Sequence, residues 1–283
     1  MVIASEGKTI ETKAVEMKAV EVKAFHSRLL RVSLAADESR IFWERLPTHC
    51  PKNERARLAF EQRWFGSKSM ARVKRLLTEL EYRFETYPTA FAVLQAWQPR
   101  DLTTRSCLCH WHLQLSDPMY RAFTGTFLEE RRLQPNPTIS RDVVARWVSQ
   151  NLPVQWASAT VQRMASALIT CTAAAGLCDR KRTTDRRLTY SKVTDAALAY
   201  WLYFLKDLSF EGTLLKNPYL ASVGLSERFL EQRLRQLPSV GFSRMGELHE
   251  FNWQYDGIEQ WATEALNIGG AAEETRLDEE ALV

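Results

Sequence analysis

The order of elements in residues 140–192 decides the fold that the second half of the chain is expected to adopt. This stretch reads SRDVVARWVSQNLPVQWASATVQRMASALITCTAAAGLCDRKRTTDRRLTYSK. Apolar residues at three- and four-residue steps predict helices over Ser140–Gln150 and Ser158–Ala175, separated by a short break at Asn151–Pro153. Two strand-like ends around a polar, basic tip follow at 177–190. Helix, turn, helix and hairpin is the winged-helix order, so a winged-helix-like α+β half is predicted.

The hairpin concentrates the positive charge of the chain. Asp179–Lys192 contains six basic residues and two acidic residues, and its net charge of +4 equals the formal net charge of the whole protein. Each phosphate that such a segment contacts adds roughly 0.9 to the salt dependence of duplex binding. The candidate phosphate contacts are Arg180, Lys181, Arg182, Arg186 and Arg187.

The second helix of this pair offers polar side chains on its outer face. Donors and acceptors of this kind reach base edges and phosphates when a helix enters the major groove. The candidate contacts are Ser158, Thr160, Gln162 and Arg163. Because the hairpin charges outnumber these contacts, the sequence predicts double-stranded DNA binding with little base discrimination. The alternative interpretation is an ordinary helical subdomain with a solvated charged loop.

The rest of the chain has the composition of a mainly α-helical globular protein. Its 283 residues are 45% hydrophobic and include only 11 glycines and 10 prolines, which excludes disordered and collagen-like classes and disfavours an all-β fold. A Pro-rich joint at Gln134–Pro137 indicates a domain boundary. The predicted units are a flexible arm (1–27), an N-terminal helical bundle (28–134), a C-terminal domain (138–267) and an acidic disordered tail (268–283).

Neither a metal site nor an enzyme is expected. Cys107, Cys109, His110 and His112 have metal-ligand chemistry, but there is no second ligand cluster to complete a tetrahedral site, so they are interpreted as core thiols and half-buried imidazoles. Phosphate-loop, dinucleotide, hydrolase and zinc-protease motifs are missing. No cofactor is expected. Five cysteines without framework spacing, and a longest apolar run of half a membrane span, favour a reduced, cytoplasmic protein without membrane contact.

Several segments together resemble the BrxA family of BREX phage-defence systems. The similar segments are Glu38–Arg40, Trp64–Ser69, Arg83–Phe84, Leu108–Leu133, Trp156–Arg163, Ala175–Leu177 and Phe242–Trp253. The resemblance covers about residues 28–265 and leaves out the repetitive arm and the acidic tail. It implies a NusB-like N-terminal bundle, no catalysis, and DNA binding in host defence beside other BREX components.

Three functions are therefore open at this level. The first is a non-enzymatic DNA-binding component of a phage-defence system. The second is a protein–protein adaptor, whose bundle docks a methyltransferase or ATPase of the same system and whose hairpin is a docking surface. The third is a winged-helix transcription regulator that recognises a defined operator.

Overall fold

Helices form most of the protein, which confirms the mainly α-helical class. The computed structural model describes residues 19–152, 155–180 and 184–268; the predicted contacts Lys181 and Arg182 lie outside this part of the chain. The helices are α1 (Ala36–Arg45), α2 (Lys52–Glu61), α3 (Met70–Phe84), α4 (Pro88–Trp97), α5 (Leu102–Ser116), α6 (Pro118–Ala122), α7 (Leu128–Arg132), α8 (Arg141–Asn151), α9 (Ser158–Ala174), α10 (Asp195–Lys206), α11 (Pro218–Ser222), α12 (Glu227–Leu234) and α13 (Ile258–Ala265). The NusB-like and winged-helix details stay predictions.

Short strands pair in three places between and beside these helices. The strands are β1 (Ala19–Val20), β2 (Thr138–Ser140), β3 (Asp185–Arg187), β4 (Leu208–Ser209), β5 (Val240–Met245) and β6 (Leu248–Trp253). β1 pairs with β4 in parallel, whereas β2 with β3 and β5 with β6 are antiparallel. β5 and β6 are joined by a two-residue turn and form a hairpin.

Side-chain caps fix where several helices begin. Asp117 accepts a hydrogen bond from the backbone N–H of Tyr120 at 2.9 Å, with Pro118 in the first helical position. At the start of α3, the Ser69 hydroxyl accepts from the backbone N–H of Arg72. Each cap satisfies an N–H group that would otherwise lack a partner inside the helix.

A wider, π-helical turn at Phe123–Phe127 joins α6 to α7. This turn keeps Phe123 and Leu128 fully buried although they are five residues apart. At its centre, Gly125 lies against α11, where an added Cβ would be 2.4 Å from the Cβ of Pro218. The close approach explains why a glycine occupies this turn.

A single hydrophobic core joins the two predicted halves of the chain. Its centre is formed by α5 and α10, in which Trp111 and Trp201 stack with ring centroids 5.1 Å apart. Residues 197–205 of α10, which form the longest apolar run of the sequence, are all buried. Both halves contribute to one core, so the chain at 134–137 passes between two parts of the same core. The division into domains stays a prediction.

The end of the predicted flexible arm is packed against this core. β1 holds residues 19–20 beside β4, and the backbone N–H of Val22 donates to the carbonyl oxygen of Leu115 at 3.0 Å. Glu21 is 3% exposed, and its carboxylate accepts a hydrogen bond from the Tyr219 hydroxyl. Long-range hydrogen bonds therefore hold residues 19–27 against the core, and the division of the chain into an arm and a bundle stays a prediction. Within the described ranges, no helix has the length and hydropathy needed to cross a bilayer.

Candidate nucleic-acid interface

The second arm of the basic hairpin, β3, pairs with the strand that precedes α8. Thr138 pairs with Arg187 and Ser140 pairs with Asp185 across β2 and β3. An isolated bridge between Cys178 and Leu188 closes the hairpin itself. The strand-like ends predicted around the basic tip are thus confirmed, while β2, which lies directly after the Pro-rich joint, was missed.

Helices α8 and α9 pack on each other and present one exposed face. The Ser140 hydroxyl caps α8 by accepting from the backbone N–H of Val143 at 3.4 Å. Val144 and Val148 on α8, and Met164 and Leu168 on α9, are fully buried. This apolar periodicity turns the polar residues of both helices outward.

Most of the predicted contacts lie on the surface of this unit. Ser158, Arg163, Arg180 and Arg187 are exposed. Thr160, Gln162 and Arg186 are partly exposed. The guanidinium of Arg186 donates to the backbone carbonyl oxygen of Asp179 at 3.4 Å, a contact across the hairpin that orients this side chain.

The hairpin lies beside the middle of α9 rather than its beginning. Arg186 and Thr184 line a cavity of about 420 Å³ together with Ser166 and Thr170 of α9. Since a helix rises 1.5 Å per residue, the N-terminal end of α9 extends roughly 12 Å beyond Ser166. The predicted arrangement, with the hairpin beside the exposed beginning of the second helix, therefore stays a prediction.

Two basic residues that the sequence reasoning missed lie on α8. Arg141 and Arg146 are both exposed. Arg141 lines the same cavity as Arg186, and Arg146 lines a second cleft with Ser158. The sequence signal that could have identified them is their position outside the apolar stripe of α8, which predicts exposed side chains. We call the following set the basic face: Arg141, Arg146, Arg163, Arg180, Arg186 and Arg187.

The second cleft, which we call the α8–α9 cleft, has a volume of about 340 Å³. It is lined by Asp142, Arg146, Ser149, Trp156, Ser158 and Gln162, among others. Asp142 also lines the cavity that contains Arg186, so the two depressions adjoin along α9. The outer face of α9 therefore borders a furrow from Ser158 to Thr170, roughly 18 Å long by helical rise.

Acidic residues partly neutralise the hairpin on the side of α1. A cavity of about 430 Å³ is lined by Arg180 and Arg186 of the hairpin and by Asp37 and Glu38 of α1. Each of these two carboxylates also has a basic ion-pair partner on another element, at 3.4 and 3.5 Å. Carboxylates therefore lie near the hairpin on both sides, from Asp37 and Glu38 on the side of α1 and from Asp142 on the side of α8.

The Cys-His segment of α5 is a core structure. His110 lies between the hydroxyls of Tyr120 and Ser222, each at 2.8 Å, and His112 contacts the hydroxyl of Tyr200 at 2.7 Å. Burial lowers the pKa of each imidazole to about 3. Both are fully buried, not half-buried as expected, because α5 is surrounded on nearly all sides.

The cysteines of α5 are buried thiols. Desolvation raises the pKa of Cys109 to about 11 and that of Cys107 well above its usual value. Thiols with raised pKa values are poor nucleophiles at neutral pH. No group of three or more His, Cys, Asp or Glu residues in the described ranges is arranged to hold a metal ion.

Comparison with known proteins agrees with the resemblance in the sequence. A sequence model of the BrxA family matches residues 23–196, which is more than half of the chain. None of the curated proteins matches the chain. An uncharacterized protein from Magnetospirillum magneticum, known from a crystal structure, is similar in fold, with a TM-score of 0.56 and 14% identity. The match covers 72% of this chain and 100% of that one, and at this identity it shows the fold alone.

Proposed function

Because the chain belongs to the BrxA family, we propose that it is a non-enzymatic component of a BREX phage-defence system that binds duplex DNA. The observation that carries this proposal is the basic face. Its arginines come from α8, α9 and the hairpin and are exposed or partly exposed. Arg141, Arg146 and Arg186 line the two depressions beside the polar face of α9. Such a surface fits a phosphate backbone on both sides of a groove.

The proposed mode of binding is that of a winged helix. The N-terminal half of α9 enters the major groove, α8 crosses the backbone with Arg141 and Arg146, and the hairpin contacts phosphates as a wing. Support comes from the order β2, α8, α9, β3 and from the pairing of β2 with β3. Most of these contacts are to phosphates, so base discrimination is low.

An electrophoretic shift experiment across a salt series, with several unrelated duplexes, tests the proposal. The site variant changes Arg141, Arg146, Arg163 and Arg187 to alanine. The matched control removes four exposed charges elsewhere, from Lys52, Arg57, Lys74 and Arg235. We expect the site variant to bind more weakly and its salt slope to fall by roughly 0.9 for each lost contact, while the control keeps the wild-type slope. Equal affinity and slope in wild type and site variant would reject DNA binding through this face.

A second candidate function, docking of another protein, is favoured by a groove on a different surface. The groove, of about 1030 Å³, is lined by the π-helical turn, α11 and α12. Phe229 at its edge is 63% exposed, and Phe25 is 42% exposed. Exposed aromatic side chains beside a groove are typical of protein interfaces.

Co-purification with the other subunits of the defence system distinguishes the two functions. Loss of a partner on Phe229→Asp, with duplex binding unchanged, would support an adaptor role in addition to DNA binding. Loss of the same partner on mutation of the basic face would instead make that face a protein-docking surface. A transcription regulator would give a defined footprint on one operator, whereas we expect uniform binding to unrelated duplexes.

A further inference from the structure

The lining of the α8–α9 cleft is rich in residues that carry hydrogen-bond acceptors. Asp142, Gln162, Ser149 and Ser158 all belong to it. Arg146 contributes the positive charge of this cleft. A carboxylate repels phosphate oxygens, so Asp142 and Gln162 suit a hydrogen-bond donor, whereas Arg146 suits a phosphate.

The side chain of Gln162 has a hydrogen-bond acceptor without a partner. Its side-chain amide oxygen is covered from solvent and has no hydrogen-bond partner in the described part of the protein. A covered acceptor without a partner is unfavourable, and most such atoms in folded proteins are satisfied. The residue lies in the second turn of α9, and its side chain lines the cleft. Because the oxygen is covered, a donor reaches it only when the side-chain amide rotates toward the cleft, and a donor bound there then supplies the missing bond.

We propose that Gln162 recognises an exocyclic amino group on the major-groove edge of a base pair. This inference rests on the proposed function and names the base contact that the same surface makes. Two amino groups lie in the major groove, adenine N6 and cytosine N4. The side-chain amide of glutamine matches adenine best, because its oxygen accepts from N6 while its nitrogen donates to N7. Binding is therefore mostly electrostatic, with a preference at one position.

Fluorescence anisotropy with four duplexes of equal length tests this contact. One contains only A·T pairs, and the second replaces adenine by 2-aminopurine, which moves the amino group to the minor groove. The third contains only G·C pairs, and the fourth replaces cytosine by an analogue without the N4 amino group. We expect wild type to bind the first duplex at least roughly fivefold more tightly than the second, and Gln162→Ala to bind both equally. A loss between the third and fourth duplexes instead would assign the amino group to cytosine.

Two further variants keep the test decisive. Arg163→Ala, a neighbouring exposed position on α9, should weaken binding to all four duplexes by the same factor, as expected for a phosphate contact. Gln162→Met keeps the side-chain length, and it replaces Gln162→Ala if that variant does not fold as judged by circular dichroism. Equal affinity of wild type for all four duplexes would overturn the base contact and leave DNA binding intact. Absence of binding to every duplex would overturn both proposals.

Discussion

The guanidinium carbon of Arg132 lies 4.1 Å from the ring centroid of Tyr190, so the two side chains stack at the base of the basic hairpin. Arg132 also donates to the backbone carbonyl oxygen of Thr189 at 2.7 Å. The Tyr190 ring contacts Gly224, where an added Cβ would be only 2.7 Å from the ring. These contacts fasten the hairpin to α7 and to the turn after α11, and they set its position relative to α9.

We expect Tyr190→Ala to weaken duplex binding several-fold without changing its salt slope. The substitution removes no charge, but it removes the ring that Arg132 covers, so the hairpin loses a fixed position and ordering it on binding becomes less favourable. Tyr190→Phe keeps the ring and should bind nearly as wild type. Anisotropy titrations at several salt concentrations measure both quantities; a reduced slope in Tyr190→Ala would show a lost phosphate contact instead.

Arg187→Ala should reduce the salt slope of duplex binding by about 0.9 and weaken binding to unrelated sequences by a similar factor. Arg187 is exposed in β3, where its backbone pairs with Thr138, and the strand can form with alanine in its place. Arg235→Ala, an exposed position on a different element, is the control. An unchanged slope for Arg187→Ala would place this side chain outside the DNA contact.

Gly125→Ala should destabilise the protein by about 1–3 kcal/mol, because the added methyl group overlaps the Pro218 Cβ and backbone. The free energy of unfolding from urea denaturation measures the effect. Thr126→Ala, at the exposed neighbouring position of the same π-helical turn, should change the stability by less than about 0.5 kcal/mol. Equal stability of the two variants would mean that α11 moves away at little cost.

The buried imidazole of His112 should make stability depend on pH. Desolvation, aided by the positive charge of Arg83, lowers its pKa to about 3 in the folded protein, whereas the unfolded chain binds a proton near pH 6.5. Between these values the unfolded state holds more protons, so the free energy of unfolding falls as the pH decreases. The slope is at most about 1.4 kcal/mol per pH unit for this group.

His112→Phe isolates this contribution. The phenyl ring can keep the stacking with Phe204, whose ring centroid lies 5.6 Å from that of the imidazole. The Tyr200 hydroxyl loses its contact with His112 but still donates a hydrogen bond to the carbonyl oxygen of Ala90 at 3.3 Å. We expect the variant to lose less stability than wild type between pH 6.5 and pH 4.5 in urea denaturation. His110 remains buried in both proteins, so part of the dependence should persist. Identical slopes would indicate that His112 binds a proton as readily in the folded protein as in the unfolded chain.

The helices were predictable because their signal is local. In α3 the apolar residues recur at three- and four-residue steps, and Val73, Leu76, Leu77, Leu80 and Phe84 are all buried. The pairing of β1 with β4 was not predictable, since it joins two-residue strands that are far apart in sequence and have no alternation of their own. The π-helical turn was hidden for a similar reason, because its cause is the contact of Gly125 with a distant helix.

The basic residues of the hairpin could be predicted from the sequence, whereas the basic residues that α8 adds to the candidate site could not. The cluster after α9 drew attention to Arg180, Arg186 and Arg187, and the structure places Arg180 and Arg186 beside that helix. Arg141 and Arg146 were missed because they stand singly in the sequence, and only the packing of α8 on α9 brings them to the same surface. The orphan amide oxygen of Gln162 depends on side-chain packing and has no signal in the sequence.

The hydrogen bond between the hydroxyl of Tyr219 and the carboxylate of Glu21 also bears on how the protein matures on the ribosome. A chain that emerges from its N-terminus cannot seat Glu21 until Tyr219 has been synthesised and has left the exit tunnel. At roughly 5–20 residues per second, the partner arrives on the order of ten seconds or more after the carboxylate. During that interval the early segment must stay soluble without its partner, which its high content of Lys and Glu before residue 24 favours.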